Sequence, residues 1–209
     1  MGTTPFPDGF FARGDPTDDE RFYSLPRFVT HIDDGAIAAV GALYEELELT
    51  GDVLDLCSSW VSHFVDAPRS LVALGMNPDE LAANPQATSW LVHDLNEQPE
   101  LPFDDAAFDA VTCCVSVDYL TRPVEVFSSV ARVLRPGGVF VCTFSNRLFP
   151  TKAIAGWLAT SDAGHVAIVE EYFRQARGFA EPESRRCTPT TGYFGDPLDA
   201  VWARASASP

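Results

Sequence analysis

Phe108-Asp109-Ala110-Val111-Thr112-Cys113-Cys114-Val115, then Val124 to Leu134, then Arg135-Pro136-Gly137-Gly138, then Val139-Phe140-Val141-Cys142-Thr143 follow one another in this chain. The runs Asp109 to Val115 and Val139 to Thr143 read as strands, and such apolar runs suit strands covered on both faces, as in a parallel sheet. Between them Val124, Phe127, Ala131 and Leu134 fall on one face of a helix, and Arg-Pro-Gly-Gly stops it. Strand, helix and strand in that order make a crossover unit, which points to an α/β fold.

The same alternation extends upstream. Val53-Leu54-Asp55-Leu56-Cys57 reads as a strand released by Gly51, and Leu71 to Leu74 and Ser89 to Val92 read as two more. A helix is expected from Asp34, where Ile37, Val40, Tyr44 and Leu47 recur at helical spacing behind aspartates that suit its first turn. Downstream, helices are expected over Lys152 to Ala159 and His165 to Ala176, the latter with Val166, Val169 and Phe173 inward and His165 on the surface. Strands follow near Arg186 and Val201. The head, from Gly2 to about Thr17, is rich in Gly, Pro and Phe without a period and reads as irregular. With 209 residues, 46% of them hydrophobic, and no repeat or linker, the chain is expected to form one domain over 1–209, with 1–33 as an N-terminal arm or lid.

Thirty acidic residues against fourteen basic ones give a formal charge of −16, which repels phosphate backbones and anionic lipid. Neither a nucleic acid nor a membrane is expected as partner. The segment Met1 to Arg13 is broken by Pro5, Pro7 and Gly9 and lacks the apolar core of a secretory signal, so a cytoplasmic protein is expected. Cys57, Cys113, Cys114, Cys142 and Cys187 show no paired spacing, and Cys57, Cys113 and Cys114 read as buried strand residues, so no disulfide framework and no metal site are expected.

Leu101-Pro102-Phe103, Phe108-Asp109-Ala110-Val111 and Leu134-Arg135-Pro136-Gly137-Gly138, with Val53-Leu54-Asp55-Leu56 upstream, resemble class I S-adenosylmethionine-dependent methyltransferases of the small-molecule type 11 group. The resemblance covers roughly Ala36 to Arg147 and marks a divergent branch. It implies a Rossmann-like three-layer sandwich with a mostly parallel seven-stranded sheet, one strand reversed near the end, and S-adenosylmethionine bound at the carboxyl edge of the strands. The crevice rule for open α/β sheets points to that edge independently.

The departures lie in the motifs. After Asp55 the resemblance implies a Gly-rich loop, yet Cys57, Ser59 and Val61 stand at the glycine positions. Ser58 and Ser59 either offer hydroxyls and amides to the cofactor's carboxylate or simply cap a helix. Gly75 occupies the place of the acid that would hold the ribose, and Met76 and Asn77 follow it, as adenine packing and a ribose bond or as a plain turn. Asp94 and Leu95 fall where the resemblance places the adenine contacts. Ser116 and Tyr119 would line the crevice beside the methyl group, with Asp118 on a solvated helix start.

His63, His31 and Tyr23 are the candidate catalytic groups, a histidine being suited to act as general base near neutral pH. Asn146 and Arg147, after the fifth strand, are candidates for a substrate carboxylate or carbonyl, although Arg147 could instead pair with a surface acid. Phe6, Phe10, Phe11, Phe22, Tyr23 and the segment from Phe149 to Trp157 are candidate walls of an acceptor pocket. The activity these features imply is methyl transfer to an O, N or S atom of a small molecule by a monomer or homodimer. The alternative is a methyltransferase-like binding or regulatory protein without turnover.

Overall fold

The computed structural model describes residues 5–206, so the first residues of the head lie outside the described part. Seven strands form one sheet: β1 (Asp52–Leu56), β2 (Ser70–Gly75), β3 (Ser89–Val92), β4 (Phe108–Cys114), β5 (Leu134–Phe144), β6 (Glu183–Arg186) and β7 (Asp199–Arg204). Their order is β3-β2-β1-β4-β5-β7-β6. The first five strands pair in parallel, while β7 runs antiparallel between β5 and β6. The expected Rossmann-like, mostly parallel seven-stranded sheet is therefore present.

Helices cover the two faces unequally. One face is packed by α2 (Asp34–Glu46), whose cap Asp33 accepts from the Ala36 amide at 2.8 Å. Ala36, Val40, Leu43 and Tyr44 are its buried side, meeting Val53, Leu71, Val141 and Trp202. The other face carries α4 (Pro123–Val133) and α6 (Asp162–Gln175), with Val126, Phe127, Val130, Val169, Tyr172 and Phe173 buried over β4 and β5. The buried stripe of α4 is rotated from the expected one: Phe127 holds its place, but Val126, Val130 and Val133 replace Val124 and Ala131.

Other expectations need correction. Between Lys152 and Ala159 only α5 (Ala155–Leu158) is helical. His165 is buried, its ring stacked on Trp157 at 4.0 Å and its Nε2 2.9 Å from the Trp157 carbonyl. The expected stop at Arg135 to Gly138 lies just past the end of α4 at Val133 and already forms the start of β5, with the Gly137 amide, at φ +79°, donating to Ala205 O. The head is irregular apart from α1 (Asp19–Phe22) and a bridge between Arg13 and Ile154. Phe6 and Phe10 pack 4.8 Å apart, Phe6 lies 5.4 Å from Tyr172, and Phe11 joins the same cluster, so these three rings extend the core and do not wall a pocket. No helix among the described residues is long and apolar enough to cross a membrane.

Candidate functional site

The chain runs outward from β1 through β2 to β3 and then returns to place β4 beside β1. Strand order reverses there, and the crevice at the carboxyl edge of the strands is where ligands of open α/β sheets bind. A cavity of about 330 Å³ opens at that edge, walled by the ends of β1, β2 and β4, the loop after β3, the head and the segment after β5. Among the residues expected at the site, Tyr23, His31, Asp55, Cys57, Ser58, Ser59, His63, Met76, Asn77, Asp94, Leu95, Ser116, Tyr119 and Arg147 line it. Asn146 does not; it is exposed outside the cavity.

The loop after β1 is the largest departure from expectation. Residues 57–69 contain no helix, so Ser58 and Ser59 cap nothing and no helix N-terminus faces the cavity. Ser58 Oγ donates to Asp55 at 2.6 Å, Ser62 Oγ to the same carboxylate at 2.7 Å, and Thr112 Oγ1 to its other oxygen at 2.7 Å. Burial raises the Asp55 pKa, and these three hydroxyls oppose the shift. Asp55 is thus the hub that shapes the loop from beneath. Ser59 Oγ donates to Glu80, so both serine protons are already committed.

Cys57 lies just past β1, not within it, and takes φ +53° where a glycine was expected. Val115, just past β4, takes φ +44°, an uncommon conformation for a β-branched residue. Such strain costs on the order of 1–3 kcal/mol per residue and persists only where surrounding structure enforces it. The Cys57 thiol is held protonated by a bond with the Cys113 thiol and by burial.

Gly75 has a steric reason to lack a side chain. A Cβ there would fall 2.1 Å from the Ser58 carbonyl, because the Ser58 amide continues the β1–β2 pairing by donating to Leu74 O at 2.8 Å. An acid cannot occupy that position in this backbone. Asn77 is also spoken for: its Oδ1 caps α3 (Pro78–Ala82) through the Asp79 and Glu80 amides, and its Nδ2 donates to Tyr23 O at 2.8 Å. The expected ribose bond from its amide gives way to capping.

Glu80 and Arg27 both line the cavity, and neither was singled out from the sequence. Glu80 accepts the Arg27 amide at 2.6 Å. In sequence it reads as an ordinary acid in a first helical turn. Asp94 keeps its expected place after β3; Oδ1 accepts the Asn96 amide at 2.8 Å, and no bond within the described residues engages Oδ2.

Loss of water around the His31 ring lowers its pKa, and burial together with the nearby His31 lowers that of His63. Both rings therefore favour the neutral form, in which one nitrogen accepts a proton. Tyr23 and Tyr119 are shifted the other way, chiefly by burial, and stay phenols. Tyr119 OH accepts the Phe149 amide at 2.8 Å. Arg147 Nε is paired with Asp196 at 2.7 Å.

The head is fastened over this edge by buried ion pairs. Lys152, fully buried, donates to Thr17 O at 2.7 Å and lies 3.1 Å from Asp19, which Arg13 grips at 2.8 Å. That clamp carries Tyr23 to the cavity, while Phe22 lies behind it, its ring meeting Phe149, which does line the cavity, at 5.4 Å.

Residues 66–142 match the family described as Methyltransferase domain. A curated relative, the Ubiquinone/menaquinone biosynthesis C-methyltransferase UbiE of Roseobacter denitrificans, is 35% identical over 83 residues, 39% of this chain and 32% of that protein. The matched stretch thus spans about a third of that relative's length. Among solved structures, an S-adenosylmethionine dependent methyltransferase from Mesorhizobium loti superposes with a TM-score of 0.55 at 18% identity, covering 82% of this chain and 99% of the other. The [4+2]-cyclase SpnF gives 0.58 at 14% identity, covering 90% and 92%. At these identities the likeness establishes the fold, and the class I, type 11-like resemblance stands on the domain match and the fold together.

Proposed function

We propose that this chain is an S-adenosylmethionine-dependent methyltransferase acting on a small, partly apolar acceptor. The observation that carries this reading is a cavity at the strand-order reversal of a β3-β2-β1-β4-β5-β7-β6 sheet whose residues 66–142 match a methyltransferase domain. The residues present fit the cofactor: Asp94 has a carboxylate oxygen to spare, Met76 and Leu95 offer apolar contact, and a buried Arg27 Nη1 has no partner among the described residues. When bound, the cofactor supplies a methyl carbon activated by a sulfonium, open to in-line displacement.

Asp94 would accept from the adenine amino group. Glu80 supplies, from the first turn of α3, the carboxylate for ribose hydroxyls that Gly75 cannot carry. Asp55 acts through the loop, holding Ser58 and Ser62 so that the backbone from Cys57 to Ser59 frames the cavity floor. Orientation of the acceptor supplies much of the rate in such a displacement, and a base is required only where the nucleophile carries a proton. His31 and His63 are the candidates for that base, each neutral near pH 7, whereas Tyr23 shapes the wall as a phenol. Oxygen, nitrogen and sulfur remain candidate acceptor atoms, and the name of the bacterial relative adds carbon.

A second reading, a binding protein without turnover, is favoured by the helix-free loop 57–69 and by the contact of the Ser58 carbonyl with Gly75. Calorimetric titration with S-adenosylmethionine and S-adenosylhomocysteine, followed by assay of S-adenosylhomocysteine release with candidate acceptors, separates the readings. Saturable binding of both ligands with release is expected. Binding without release on any acceptor transfers the case to the second reading, and no binding overturns both.

A further inference from the structure

Of the two arginines that line the cavity, Arg147 is neutralised by Asp196. Arg27 takes part in no ion pair among the described residues, in a chain whose acids outnumber its bases by thirty to fourteen. Its Nη2 donates to Phe22 O at 2.8 Å, while Nη1 is buried with no hydrogen-bond partner. The guanidinium lies 4.6 Å from the Phe22 ring centroid, 5.8 Å from Tyr23 and 5.6 Å from Phe149. Aromatic faces hold a guanidinium in place without neutralising it or using its N–H donors. Its backbone is fixed too, through the amide bond to Glu80.

A buried donor left without a partner is costly, so native structures rarely keep one away from water or a ligand. The usual receptor for an anion at this edge, a helix N-terminus after β1, is missing here, and the serine protons that could replace it are engaged. We propose that Arg27 is a carboxylate receptor of this cavity, gripping the acid group of a bound ligand from within its aromatic cage. Two ligands could present that group: the amino-acid end of the cofactor, or an acceptor that is itself a small aromatic acid. The cofactor as the source rests on the methyltransferase reading of the cavity; an acid acceptor needs the cavity alone.

The test compares S-adenosylhomocysteine with 5′-methylthioadenosine, which lacks the amino-acid end, and benzoate with and without the latter, by calorimetry on wild type, Arg27→Gln and Arg27→Lys. The ratio of two affinities within one variant does not depend on how much of it folds. If the cofactor supplies the acid, wild type prefers S-adenosylhomocysteine at least tenfold, and Arg27→Gln loses that preference while Arg27→Lys keeps part of it. If the acceptor supplies it, the preference survives in Arg27→Gln but benzoate binding is lost. Equal affinities of wild type and Arg27→Gln for all three ligands overturn the receptor and leave the methyltransferase reading intact. A wild type that binds neither nucleoside but keeps Arg27-dependent benzoate binding overturns the methyltransferase reading alone; one that binds none of the three overturns both.

Discussion

On one side of the strand-order reversal, β4 and β5 are joined through an eleven-residue helix and bury most of their residues, including all of Val139 to Phe144. On the other side, β1 and β2 are joined by residues 57–69 without a helix, α3 has five residues, and all four residues of β3 are exposed. The first side is held by apolar packing, which is non-directional and scales with area. The second keeps an apolar core in β1 and β2, but its loops are held by directed bonds from Asp55, Asn77, Glu80 and Asn84, and they supply most of the cavity wall, with the end of β4 and the segment after β5 closing the other side. Apolar packing thus dominates one half of the sheet, and the polar loops of the other half shape most of the site.

The sharpest way to break that comparison is at Phe127, fully buried with ring centroids of Phe140 and Phe173 at 4.7 and 4.8 Å. Phe127→Ala is expected to cost about 3–5 kcal/mol in urea unfolding, the range for large-to-small changes in a packed core. Phe64→Ala, in the loop 57–69 against Tyr44 at 4.7 Å, is expected to cost less. A larger loss at Phe64 than at Phe127 would show that the loop side is the cohesive one.

This division also explains what was legible in the sequence. All seven strands could be located; the central ones, buried on both faces, announce themselves as unbroken apolar runs, whereas β3 and most of β6 are exposed, and Arg135 to Gly138, the expected helix stop, open β5 directly after α4. Asp94, Met76 and Leu95 line the cavity the sequence pointed to, because the chain after β2 and β3 keeps the expected spacing. Ser58, Ser59 and Asn77 were correctly placed at the cavity, but their bonding was not: a hydroxyl's partner is chosen by tertiary approach, here of Asp55 and Glu80. The same holds for Arg27, whose importance lies in lacking a partner, a property no local pattern records. Asp118 was misread as solvated because an acid beside a helical turn usually is; here Val117 to Tyr119 form a buried 3-10 turn.

Asp118 supplies the second prediction, since it is an unfavourable feature on the well-packed side. Burial raises its pKa to about 8, and its Oδ2 has no hydrogen-bond partner among the described residues. The folded state therefore holds this proton over a pH range in which the unfolded chain, at an ordinary aspartate pKa near 4, has released it. Protons bound in the folded state exceed those in the unfolded state, so stability falls as pH rises from about 4 to about 8 and levels off above that. Asp118→Asn removes the effect and is expected to exceed wild type at pH 8 by up to about 5 kcal/mol, about 1.4 kcal/mol for each unit between the two pKa values, with little difference at pH 4. Parallel pH profiles of the two proteins would mean that the carboxyl is solvated, and the packed side would lose its one buried acid without a side-chain partner.

The smallest effect is expected at β3, where the comparison makes its least intuitive claim. Trp90, Leu91 and Val92 would ordinarily be read as core, yet they are 45%, 36% and 44% exposed. The strand keeps its place through backbone pairing with β2, in register from Val72 with Ser89 to Gly75 with Val92, and through the His93 amide donating to Gly75 O at 3.0 Å. Such bonds do not depend on side-chain identity, so a residue that also favours strands should serve equally well. Trp90→Thr is accordingly expected to change stability by no more than about 0.5 kcal/mol, the usual span for exposed positions, and to leave ligand affinities unchanged because Trp90 does not line the cavity. A destabilisation several times larger, independent of protein concentration, would mean that the indole is covered within the chain. The same loss appearing only at high protein concentration would instead mean that a second copy covers β3, and the loosely covered half of the sheet would then be an interface.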